Sequence, residues 1–246
     1  MAKAKSKTGV RVARDIVQSI YDKGLVPGDR YLSEPDALAE HGVSRATYRE
    51  ATRFLEFQGV ISTKAGPGGG TVVARPDWRN LASTFALLMQ FSGTSLAQVM
   101  AARRVLEPSM VAESVRKVRP DQIERMRNYL ATARERIADV EGFLLAYRAF
   151  WHEVADATGS PVTAELWKAL RAVLDSGGFV PNEVYRLHVL GRVEELLAAL
   201  EAKDINGASR IVAELDGEFE ERLTRDYPLR TGKTVCWGDI EDMADE

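Results

Sequence analysis

The chain has 246 residues, 45% of them apolar and 28% charged, with a formal net charge of −3. That is ample material for one large or two modest globular domains. It holds no apolar run long enough to cross a membrane, no apolar stretch after the basic start that would make a secretory signal, and a single cysteine, Cys236, so no internal disulfide. A cytoplasmic protein is expected. The charge is uneven: residues 1–76 carry 12 Lys and Arg against 8 Asp and Glu, and the remainder 21 against 28. A basic first third on an acidic body suits a polyanion-binding head whose body does not bind the polyanion.

In chain order, Val10, Val12, Ile16, Ile20 and Tyr21 recur at helical spacing and predict a first helix over about 9–23, stopped by Gly24 and the turn Pro27-Gly28-Asp29. Ser33 is placed to cap a second, short helix, with Pro35 in its first turn, Asp36 at the reciprocal capping position and Gly42 at its end. Ser44 caps a third helix running to about Gln58. Helix, short glycine-bearing turn, helix is the helix-turn-helix unit. Residues 60–63 and 71–73 then predict two strands of a β-hairpin wing around the tip 64–70, and Arg75-Pro76-Asp77 begins a linker over 76–80. From Trp78 onward the pattern is helical throughout, over about 79–91, 95–117, 120–138, 142–158, 162–175, 183–202 and 205–226. The fold class expected is therefore mainly α: a winged helix-turn-helix over 1–75 and an antiparallel helical bundle over 81–230. An acidic, loose tail would occupy 231–246, with Val235 and Trp237 able to dock it.

The third helix carries two stripes. Tyr48, Ala51, Thr52 and Leu55 have the spacing of a packed face, and Arg45, Arg49 and Arg53 project from another. In a helix-turn-helix the N-terminal part of the second helix meets base edges in the major groove, where an arginine can hold guanine O6 and N7 together. Ser44 and Thr47 can donate to phosphates, and Lys64 with the glycine tip can follow the neighbouring groove. Arg53, deepest in the helix, reaches a phosphate at most. The glycine tip lacks the Lys-Ser/Thr ending of a phosphate-binding loop and opens no helix, so it is not read as one.

The stretch GLVPGDRYLSEPDALAEHGVSRATYREATRFLEFQGVISTKAGPGGGTVV resembles the winged helix-turn-helix of GntR-family transcription regulators. The matching parts are the PGDR turn, Ser33-Glu34, GVSR, Arg49-Glu50-Ala51, Leu55-Glu56 and the glycine-rich wing. The resemblance implies that Arg45 and Arg49 read bases, with Ser44, Thr47 and the wing tip at Gly66 on the DNA. One departure stands out: the arginine usual after Ser-Glu is Pro35 here, so its contact is lost or supplied by a neighbour such as Arg30.

The body resembles the all-helical effector domain of the FadR-like branch, through Ala102–Pro108, Phe150-Trp151-His152 running into Ala157–Pro161, and Leu196–Leu200 before Asp204 and Ala208. That branch commonly holds a divalent metal through one Asp and three His. Here the aspartate position is Arg148, His152 fits one histidine, and the other two fall at about Val193 and Leu215. One ligand out of four cannot hold the ion, so neither metal nor cofactor is expected.

Two readings of the remaining pair stay open. Arg148 replaces the metal as anchor for an anionic effector, with His152 and Arg103 beside it; or Arg148 faces solvent, His152 is an ordinary interior histidine, and Arg103 pairs along its helix with Glu107. The expected protein is a homodimer that binds a double-stranded, near-palindromic operator and responds to an organic acid or an acyl-CoA, repression relieved by ligand being the favoured sign. The rival is a constitutive or architectural DNA-binding dimer. No nucleophile elbow, metal-ligand cluster or dinucleotide fingerprint speaks for an enzyme.

Overall fold

The computed structural model describes residues 2–64 and 70–244, with the backbone alone for 2–7, 64 and 241–244. Two compact units divide the chain, Met1–Asn80 and Leu81–Glu246.

The first unit contains α1 (Ala2–Asp22), α2 (Glu34–His41), α3 (Arg45–Phe57) and the antiparallel strands β1 (Ile61–Lys64) and β2 (Gly70–Val73). Each helix boundary has a local chemical cause. Ser33 and Ser44 sit in extended backbone and accept from the amides of Asp36 and Thr47, giving α2 and α3 their N-caps. Gly42 closes α2 in the left-handed region at φ 62°, its N–H returned to the Leu38 carbonyl. The β1–β2 register pairs Ile61 with Val73 and Thr63 with Thr71, and Arg30 bridges to Val72, which ties the loop before α2 to the wing. The core collects Val12, Ile16 and Ile20 from α1, Tyr48, Ala51 and Leu55 from α3, and Ile61 and Val73 from the wing. The helix α1 starts well before the expected position, and Val60 lies just outside β1.

The second unit is a helical bundle. Its elements are α4 (Trp78–Ser92), which begins in the first unit, then α5 (Leu96–Lys117), α6 (Pro120–Glu135), α7 (Val140–Asp156), α8 (Pro161–Asp175), α9 (Glu183–Glu201) and α10 (Ile205–Asp226). Helix α5 packs on α8 and α10, α6 on α7 and α9. Phe143, Phe150, Trp167, Met126, Leu190 and Leu200 are fully buried between them. Some polar groups bond across helices: Ser114 of α5 donates to the Val154 carbonyl of α7 at 2.7 Å, and the Lys203 ammonium donates to the carbonyls of Val115 and Val118 at the end of α5.

The acidic segment beyond 230 is not loose over its described length. It continues as α11 (Pro228–Thr231) and α12 (Trp237–Ala244), joined by a stretch that makes a bridge from Thr234 to Ser95 and buries Val235; Ile240 of α12 is buried as well. The Trp237 indole donates to the Ser83 hydroxyl of α4 at 2.9 Å.

A Cβ added at Gly42 would meet nothing within 4 Å, so Gly42→Ala costs only the left-handed backbone, about 1 kcal/mol. Hydrogen exchange of the α2 and α3 amides is expected to quicken roughly fivefold. Unchanged protection would show that this turn does not depend on glycine.

Candidate functional site

On α3 the packed face is Tyr48, Ala51, Thr52 and Leu55, all buried, and the opposite face carries Arg45, Arg49 and Arg53, all exposed. Arg45 has 76% of its side chain exposed and reaches Glu34 at 3.3 Å, a surface pair of little strength. The Arg49 and Arg53 side chains make no ion pair or hydrogen bond among the described residues. The Ser44 and Thr47 hydroxyls touch at 3.0 Å at the start of the helix, beside its free amides. Lys64 has its backbone in β1, but its side chain and the whole of Gly66 lie outside the described residues. What the described face offers is a row of guanidinium groups one helical turn apart, on a helix anchored by its other side.

The helical unit holds a cavity open to solvent, about 960 Å³ of empty space when the solvent at its mouth is included. Four guanidinium groups (Arg103, Arg148, Arg171 and Arg222) and three carboxylates (Glu107, Asp175 and Asp216) line it. On one side Asp175 of α8 accepts Arg148 Nε on one oxygen and Arg171 Nε on the other, both at 3.0 Å. Burial alone would raise the Asp175 carboxyl, but Arg171 and Arg148 outweigh it and hold it below the usual range. On the other side Arg103 is buried between Glu107, with Nε to Oε2 at 2.8 Å, and Asp216. Burial pushes Glu107 up to about 7 against the opposing pull of Arg103. Burial also opposes the charge on Arg103, yet Glu107 and Asp216 outweigh it and bind its proton more tightly.

Aromatic rings complete the wall. Phe143, Tyr147 and Trp151 follow one another up α7, Phe179 meets Tyr227 edge-on at 5.5 Å, and Arg222 lies 4.2 Å over the Tyr185 ring. The lining segment 179–181 is held in place: Tyr227 donates to the Val180 carbonyl and Arg186 to that of Pro181.

Arg103 and Arg148 are thus brought together at one cavity. His152 is not. It is one turn beyond Arg148, and its ring meets the Trp167 indole of α8 edge-on at 6.4 Å instead of lining the cavity. Burial, and then the charges of Lys168, Arg171 and Arg148, push its pKa down to about 4. A divalent cation does not fit this donor set. The aspartate position is a cation, Val193 is sealed in the core, Leu215 offers only hydrocarbon, and no cluster of three His, Cys, Asp or Glu side chains suited to a metal exists among the described residues. Sequence reading missed Arg171, Asp175, Asp216 and Arg222. Only the four-residue spacing of Arg171 and Asp175 hinted at a pair, and it looks like any surface pair on a helix.

Residues 98–218 match the FCD domain. A transcriptional repressor of Cronobacter sakazakii, NanR, is 24% identical over 176 residues, which cover 68% of this chain but only 65% of that repressor. Among solved structures, a Streptococcus agalactiae GntR superposes with a TM-score of 0.67 at 15% identity, covering 87% of this chain and 99% of its own. The Escherichia coli protein McbR/YncC aligns over 89% of this chain and 98% of its own, at 21% identity and a TM-score of 0.48.

The depressed pKa of His152 has a consequence for stability. Between about 4 and the ordinary 6.5 the unfolded chain binds a proton at this histidine that the folded chain refuses, so its contribution falls as pH falls through that window. Melting temperatures of the wild type and His152→Gln between pH 7 and 4.5 should diverge, the variant losing less on acidification. Glu107 contributes a slope of opposite sign to both proteins, so the comparison isolates His152. Parallel curves would contradict the buried, neutral histidine.

Proposed function

We propose that the chain is a GntR-family transcription regulator with an FCD domain as its C-terminal effector-binding unit, and that it is a homodimeric, ligand-responsive repressor whose cavity takes a small organic acid or an acyl-CoA. In the head, Arg45 and Arg49 read base edges, Arg53 reaches a phosphate, and Ser44 and Thr47 fix the helix on the backbone; Lys64 and Gly66 are taken as further DNA contacts. The observation that carries this is the exposed, uncommitted pair Arg49 and Arg53 on the face of α3 opposite its buried stripe.

In the helical unit the anchor for an anion is the pair Arg148 and Arg171, with Arg103 elsewhere in the same lining, and His152 takes no part. A cavity with this much cationic lining supports a ligand-responsive protein over a constitutive DNA-binding one. The repressor sign is supported by the likeness to NanR. Pairing of two copies is supported by apolar side chains left on the surface of the helical unit, among them Leu88 at 62% and Phe91 at 85% exposure on α4. Two heads would then read the halves of a near-palindromic site, and the effector would shift the dimer between two states by binding one better.

Arg49→Ala tests the head. On DNA selected from a random pool by the wild type, the variant should lose roughly tenfold or more of its preference over scrambled sequence, since a two-pronged arginine–guanine contact gives about 1–3 kcal/mol of discrimination. Its helical circular dichroism should be unchanged. Full preference measured by fluorescence anisotropy would remove Arg49 from the reading surface.

A further inference from the structure

We propose that the effector is a compact aromatic monocarboxylate bearing a hydroxyl or amino donor, its carboxylate held by Arg148 and Arg171 and its donor by Asp216. This rests on the reading of the cavity as the effector site. The anchor is half-built: Arg148 and Arg171 each spend only Nε on Asp175, and their Nη groups make no hydrogen bond among the described residues. Two guanidinium forks facing one cavity suit a carboxylate held by both. The charge balance of the lining, four guanidinium groups against three carboxylates, is offset by a single negative charge. A polyphosphate would leave that balance strongly negative beside Glu107 and Asp216.

Opposite this anchor stands an acceptor. Asp216 gives one oxygen to Arg103, while its Oδ2 is buried and makes no hydrogen bond among the described residues. A buried, unsatisfied carboxylate oxygen on a cavity wall calls for a donor from the occupant. Anchor and acceptor line the same cavity. Between them the wall is aromatic. Phe143 and Tyr147 are stacked at 5.6 Å, and the Tyr147 and Phe219 rings lie against Arg171 and Arg103. Such rings give a flat aromatic ligand stacking that an alkyl chain of equal area lacks.

Isothermal titration of the full-length protein with benzoate, its monohydroxy isomers and hexanoate tests the proposal. One hydroxybenzoate isomer should bind about tenfold or more tightly than benzoate, the loss expected for one hydrogen bond to a buried charge, and benzoate more tightly than hexanoate. Arg148→Ala should weaken all the acids, and Asp216→Val should erase the preference for the hydroxyl while keeping benzoate. The wild-type ranking stands as a test even where Asp216→Val fails to fold. Hexanoate binding as tightly as the aromatic acids would overturn the aromatic assignment and leave an anionic effector standing. Equal binding of benzoate and every hydroxy isomer would overturn the role of Asp216. Failure of every acid to bind, or binding untouched by Arg148→Ala, would overturn the cavity reading itself.

Discussion

One carboxylate, Asp175, accepts an arginine on each oxygen, and this shared contact decides what the helical unit can hold. Two guanidinium groups brought so close would repel each other without it. With it they form a fixed cationic wall on α7 and α8, partly withdrawn from solvent, where charge interactions are stronger than in water. The facing wall repeats the arrangement with the signs reversed, one guanidinium between two carboxylates, and ties α5 to α10. A cavity bounded this way needs no metal to attract an anion. It disfavours one, because the position that would supply the first anionic ligand carries a positive charge.

The head depends on a division of labour along one helix. The residues that bury α3 are uncharged and sit on one face, so the arginines are free of any structural duty. Capping serines and the left-handed glycine fix where α3 begins, and thereby which of its side chains stand at the N-terminal end. The functional surface is a by-product of how the helix is anchored. Substitutions on the arginine face should therefore change recognition with little effect on folding.

Local chemistry was readable from sequence, and contacts between distant segments were not. Ser33, Gly42 and Ser44 act within a few residues of themselves, so their roles follow from spacing, as do the two stripes of α3. The cavity is different. Arg103 meets Asp216, and Arg148 meets Asp175, only because the bundle brings four helices together, and no periodicity encodes which charged residue of a helix turns inward. Arg222 follows two other charged residues, Glu220 and Glu221, and nothing in that run marks it as the one that lines the cavity. His152, for which the sequence left two readings open, stands beside Trp167 and outside the cavity lining. The docking of Val235 and Ile240 likewise needs partners far back in the chain, such as Ser95.

The central claim is that arginines replace a metal as the anchor of the effector. Native mass spectrometry of the purified protein, paired with elemental analysis for transition metals, tests it most directly. The account predicts a dimer without stoichiometric metal, and any co-purified small molecule should be an anion that Arg148→Ala fails to retain. A stoichiometric metal, retained through Arg148→Ala, would mean that other side chains rebuild the ion site and would contradict the account.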